Sequence, residues 1–101
     1  MFDAYKQMLL KRRLTPSLFL IEIIEKLYDK HPQEVPFGIS ELYESLSYPK
    51  PTFSTFRAKL LGLQLAECIE IKVSKEKVSK KGVVLTENFY KQIVRDVYAK
   101  G

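Results

Sequence analysis

Apolar positions recur at helical spacing along most of this chain and alternate in one short stretch. Phe2, Tyr5 and Leu9 stand at i, i+3 and i+7, which predicts an amphipathic helix over Met1–Lys11. Thr15-Pro16 then offers an N-cap hydroxyl followed by proline at the first helical position. Pro32 turns His31 away from helical geometry, so the second helix is expected over 16–30. Its apolar residues Phe19, Leu20, Ile21, Ile23, Ile24, Leu27 and Tyr28 cover roughly 200° of the helical circumference. One core face needs about half of that. This helix is therefore either central or shared with a second subunit.

A proline-containing loop follows over His31–Phe37, and Gly38 or Ser40 can open a short helix that carries Leu42, Tyr43 and Leu46 inward. After a turn at Ser47–Lys50, Pro51 again suits a first helical position, and Phe53, Phe56, Leu60 and Leu63 form one buried stripe. Ser54, Thr55, Ala58 and Lys59 lie opposite that stripe, with Arg57 on the flank. The period then changes. Ile69, Ile71 and Val73 alternate with Glu70, Lys72 and Ser74, Lys75–Gly82 reads as a lysine-rich turn, and Val83–Leu85 returns as a second strand. Thr86 caps a last helix in which Phe89, Tyr90, Ile93, Val94, Val97 and Tyr98 line a wide face.

Charge sharpens this picture because it is unevenly placed. The net charge is +5, yet residues 1–49 carry six bases and seven acids. Residues 50–81 hold eight bases against three acids, so one third of the chain carries the whole excess. A concentrated basic segment is the footprint of a polyanion-binding surface. Lys11-Arg12-Arg13 forms a second, smaller basic group.

A short helix, a tight turn, a helix with a small hydroxylated and basic outer face, and then a basic hairpin resemble a winged helix-turn-helix domain. The stretch Ser54-Thr55-Phe56, with Leu60, Leu63 and Cys68-Ile69-Glu70 after it, is similar to the recognition-helix pattern of the PadR and MarR families. The exit Gly82-Val83-Val84-Leu85-Thr86-Glu87 looks like their strand-to-helix junction, and small archaeal plasmid and viral winged-helix proteins share the composition. There is one departure: the family glycine that ends the recognition helix is Glu67 here, and the nearby glycine is Gly62, where the helix is expected to end or bend. The resemblance implies a mostly helical fold with a β-hairpin wing, in one domain. Its parts would be an N-terminal extension over 1–14, a helix-turn-helix over 38–63, the wing over 67–86 and a dimerising helix over 87–100.

In that frame Ser54, Thr55, Arg57 and Lys59 meet base edges and phosphates in the major groove of double-stranded DNA. Lys50 and Thr52 flank the helix start, where backbone N–H groups favour phosphate. Lys75, Lys77, Lys80 and Lys81 on the wing meet the adjacent backbone or minor groove. The resemblance implies a homodimeric transcriptional regulator. Two alternatives are a site-binding adaptor for plasmid or chromosome partition, with further protein partners, and a protein-interaction module without DNA.

Other chemistry finds little support. His31 beside Asp29 lacks a nucleophile, and Cys68 at a helix–strand junction reads as a small buried residue. Glu22, Glu25 and Asp29 read as a solvated helix face rather than a metal site, and four scattered glycines make no phosphate loop. No enzyme activity, metal or cofactor is implied. The longest apolar run, Leu18–Ile21, is far below the roughly 20 residues of a membrane span. With no signal-peptide pattern at its start, the chain is expected to be cytoplasmic and associated with DNA.

Overall fold

The computed structural model describes residues 2–31, 35–47, 49–73 and 80–99. In chain order these form α1 (Phe2–Lys11), α2 (Leu18–Lys30), β1 (Phe37–Gly38), α3 (Ile39–Ser45), α4 (Phe53–Leu65), β2 (Ile69–Val73), β3 (Lys81–Leu85) and α5 (Glu87–Ile93). A π-helical turn over Val94–Tyr98 continues α5. The sheet is antiparallel with β3 in the centre, flanked by β1 and β2.

Both prolines expected at first helical positions lie outside their helices. Ser17 caps α2 by accepting the Leu20 N–H at 3.3 Å, and Thr52 caps α4 by accepting that of Thr55 at 3.2 Å. Pro16 and Pro51 each precede the cap, and the hydroxyl after the proline does the capping. Thr86 caps α5 as its sequence predicts, accepting the Phe89 N–H at 3.3 Å.

The wide apolar arc of α2 is absorbed within the chain, because Leu20, Ile21, Ile23, Ile24 and Leu27 are all buried. α2 is the central helix, packed against α1 and β3. The last helix likewise buries Phe89, Ile93 and Val97. Tyr98, on the same face of the last helix, stays 37% exposed. Across the sheet, Ile69 pairs with Leu85 and Ile71 with Val83, so one face of the hairpin closes the core.

Three features differ from the sequence reading. Phe37–Gly38 is a third strand rather than loop, paired with Val83 and Gly82. Two residues are too few to show an alternation, and that pairing becomes visible only in three dimensions. It also explains Gly82, where a Cβ would collide with the Pro36 side chain. β3 begins at Lys81, inside the segment read as turn, and the last helix turns π after Ile93, with the Ala99 N–H reaching Val94 O at 2.7 Å.

α4 runs through Gly62 and stops at Leu65. It ends in a Schellman motif: the Cys68 N–H bonds Leu63 O at 2.9 Å, and the Glu67 N–H bonds Gln64 O at 3.1 Å. The turn requires Glu67 at φ 61°, the left-handed region where glycine is usual. α1 ends the same way, with Arg13 at φ 62° and the Leu14 N–H on Leu9 O. An L-residue there costs about 1–2 kcal/mol, and glycine's extra freedom returns roughly 0.5–1 of it. Glu67→Gly is therefore expected to stabilise the fold by about 0.5–1 kcal/mol, raising the melting temperature by a few degrees. A lower melting temperature would mean that the Glu67 side chain contributes to folding.

Candidate nucleic-acid interface

α4 is held to the body through Phe56, Leu60 and Leu63, all buried. Ser54, Thr55, Arg57 and Ala58 are exposed on the other side, and Lys59 is half-buried. Arg57 and Lys59 stand about 200° apart around a helix of roughly 3.6 residues per turn, so they occupy opposite rims of the outer face. Ser54 lies between them and shares Arg57's side, while Thr55 shares that of Lys59. The Arg57 guanidinium forms no ion pair among the described residues.

The start of α4 is an ordered corner. Thr52 both caps the helix and donates its hydroxyl to Thr55 Oγ1 at 2.9 Å. Tyr43 donates to Pro51 O at 2.8 Å, and its ring packs edge-on to Phe53. Phe53, read as part of the buried stripe, is in fact 41% exposed: at the first position of α4 it meets the rings of Tyr43 and Phe56 on its inner side. Lys50 folds back rather than reaching outward: its ammonium lies 4.9 Å from the centre of the Tyr43 ring and 3.4 Å from Glu44 Oε2. Any phosphate contact by Lys50 must compete with that carboxylate.

Glu22 is the residue whose role the sequence hid. Instead of forming part of a solvated face, its carboxylate accepts the Ser47 N–H at 2.9 and 3.0 Å and the Ser47 hydroxyl at 2.6 Å. The central helix thereby grips the segment joining α3 to α4. No spacing rule pairs residues this far apart, so only the fold reveals the clamp. Glu22→Ala is expected to cost about 1 kcal/mol and to speed amide exchange at Ser47. Unchanged exchange would show that the clamp carries no load.

On the hairpin, Lys80 and Lys81 are exposed at the base of its tip, with Lys81 paired to Val73. Lys75 and Lys77 lie outside the described residues. Lys72 sits 3.7 Å from Glu70 on the same strand.

Two candidates from the sequence take other roles. Arg12, from the N-terminal basic group, is turned inward: Nε and Nη2 donate to Gln92 Oε1 at 3.1 and 2.7 Å, and Nη1 donates to Ala66 O at 2.8 Å. His31 lies 3.2 Å from Glu87 and stacks on Tyr90, away from Asp29 as a partner. Cys68 is buried, and desolvation pushes its thiol up to about 11 in spite of nearby Arg12, so little thiolate is present at neutral pH. Among the described residues, no cluster of three metal-ligating side chains forms and no helix is long and apolar enough to cross a membrane.

Comparison with family models and with curated proteins returns no match. Solved structures do match. The crystal structure of an S. aureus MepR–DNA complex superposes with a TM-score of 0.71 at 16% identity, over 92% of this chain and 69% of that one. A point mutant of S. aureus MepR gives 0.70 at 18% identity, over 97% and 66%. A second mutant, bound to an oligodeoxyribonucleotide, gives 0.66 at 19%, over 90% and 60%. The chain thus spans about two thirds of the MepR chains. At this identity the likeness establishes architecture, and the architecture is that of a winged helix: a helix-turn-helix on a three-stranded antiparallel sheet whose last two strands form the wing.

Proposed function

We propose that this chain binds double-stranded DNA, with α4 in the major groove and the β2–β3 wing on the neighbouring backbone, and acts as a transcriptional regulator. The observation that carries this reading is the outer face of α4. Ser54 and Arg57 are exposed on a capped helix that Phe56, Leu60 and Leu63 hold to the body, beside a wing whose exposed Lys80 and Lys81 add positive charge. MepR, which shares the fold, has been crystallised on DNA.

In this reading the protein acts as a homodimer. Most of both arcs is used internally, and exposed apolar residues of the first and last helices, Phe2, Leu10 and Tyr98, are left to form the dimer surface. A two-fold dimer matches a near-palindromic site with half-sites about one helical turn apart. Light scattering at micromolar concentration tests the dimer, and a monomer under those conditions counts against it. The same interface would serve a PadR-like regulator or a partition adaptor equally well. Those uses differ in whether the bound site flanks a promoter or a segregation locus.

The direct test is fluorescence anisotropy with duplex DNA over a salt series. Binding should weaken linearly in log K against log salt, by about 0.9 for each phosphate neutralised. No binding at low salt would transfer the outer face of α4 to a protein partner.

A further inference from the structure

Along its middle, C-terminal to Ser54, the outer face of α4 is apolar. Leu61 is 55% exposed and Leu65 is 77% exposed, although both belong to a helix that already buries Phe56, Leu60 and Leu63. With exposed Ala58 they continue the line of Ser54 at i+4, i+7 and i+11, a single ridge along the helix. Polar residues bound it on both sides: Arg57 and Gln64 on one, Thr55 and Lys59 on the other.

We propose that this ridge reads thymine, with Ala58, Leu61 and Leu65 packing against C5-methyl groups in the major groove. The inference rests on the DNA-binding reading above and names what that surface selects. The thymine methyl is the one apolar group that a base pair presents in the major groove. From Ala58 to Leu65 the helix rises about 10 Å, the length of roughly three base-pair steps of 3.4 Å. The ridge is one side chain wide, which suits a row of methyl groups. Two leucines and an alanine fall far short of the roughly 800 Å² per partner that a standard protein interface buries. The flanking Arg57 and Lys59 also complement phosphate and base acceptors rather than another apolar surface. The ridge ends with α4 at Leu65, and the chain turns back toward β2 at Glu67.

The test uses the duplex that the full chain selects from a random-sequence pool, and a copy of it with every thymine replaced by uracil, which removes only the methyls. Each contacted methyl should be worth about fourfold in Kd, from roughly 0.8 kcal/mol per buried carbon, so the uracil duplex should bind tenfold or more weakly. The L61A/L65A double variant should lose that preference and bind both duplexes within about twofold. Leu61→Met, which keeps apolar volume, should retain most of it. Because these leucines are solvent-facing, the variants should melt like the parent, and a melting curve verifies this. A parent that binds thymine and uracil duplexes alike overturns the proposal while leaving DNA binding intact, and so does a double variant that keeps the preference. If no sequence is enriched and no duplex binds, the DNA-binding reading falls and the proposal with it.

Discussion

Arg12→Ala is expected to destabilise the fold by about 2–4 kcal/mol, far more than the loss of a solvent-facing charge would. One guanidinium joins three elements. It donates twice to Gln92 on α5, once to the Ala66 carbonyl at the end of α4, and lies 4.8 Å from the centre of the Phe89 ring. The Ala66 bond satisfies a carbonyl at a helix end, and the Phe89 contact adds a cation–π attraction. These contributions share one side chain and are not additive, which holds the total below the sum of its parts. Arg12→Lys keeps the charge but not the planar fork, so it should restore less than half of the loss. Lys11→Ala, one residue away on the exposed side, should stay within about 0.5 kcal/mol of the parent. Chemical denaturation measures all three. Equal midpoints for the Arg12→Ala and Lys11→Ala variants would remove Arg12 from the framework.

Arg57→Ala is expected to cost about 1–3 kcal/mol on a selected duplex and little on random DNA, because a guanidinium can bond guanine O6 and N7 together. Replacing Lys80 and Lys81 with alanine should have a different signature. Both lysines are exposed on the wing, where they can meet phosphates without reading sequence. Their loss should weaken selected and random duplexes alike and flatten the salt dependence by about 0.9 for each contact removed. Anisotropy titrations at several salt concentrations separate the two outcomes. Equal losses on both duplexes for Arg57→Ala would place that residue on the backbone instead.

Local rules make much of this architecture visible in the sequence. The stripe Phe56, Leu60 and Leu63, the alternation of Ile69 and Ile71, which stops at an exposed Val73, and the Thr86 cap each depend on neighbours a few residues away. The elements hidden from the sequence depend on distant ones. Phe37–Gly38 becomes a strand because Val83 and Gly82 lie beside it. Glu22 becomes a clamp because Ser47 arrives at the same place. Arg12 is one of three basic residues in a row until Gln92 and Ala66 turn it inward. The ridge of Leu61 and Leu65 is an intermediate case. Its residues are spaced by local rules, since a helix with apolar residues on both sides needs two surfaces to cover it. The longer aromatic-led stripe of Phe56, Leu60 and Leu63 takes the core, and the shorter pair Leu61 and Leu65 is left exposed.

The rings of His31, Tyr90, Tyr28 and Tyr98 stand one on another, with centre-to-centre distances of 3.9, 5.2 and 4.6 Å, and the Tyr5 hydroxyl meets that of Tyr98 at 2.9 Å. The chain has no tryptophan, so tyrosine and phenylalanine dominate its near-ultraviolet optical activity. Fixed packing of those rings gives a signal that vanishes when tertiary order is lost. The column bridges α2 and the final π turn, which makes it an intrinsic optical reporter of their docking. Loosening of the last helix can be followed by circular dichroism without any added label, at wavelengths where backbone helicity does not contribute.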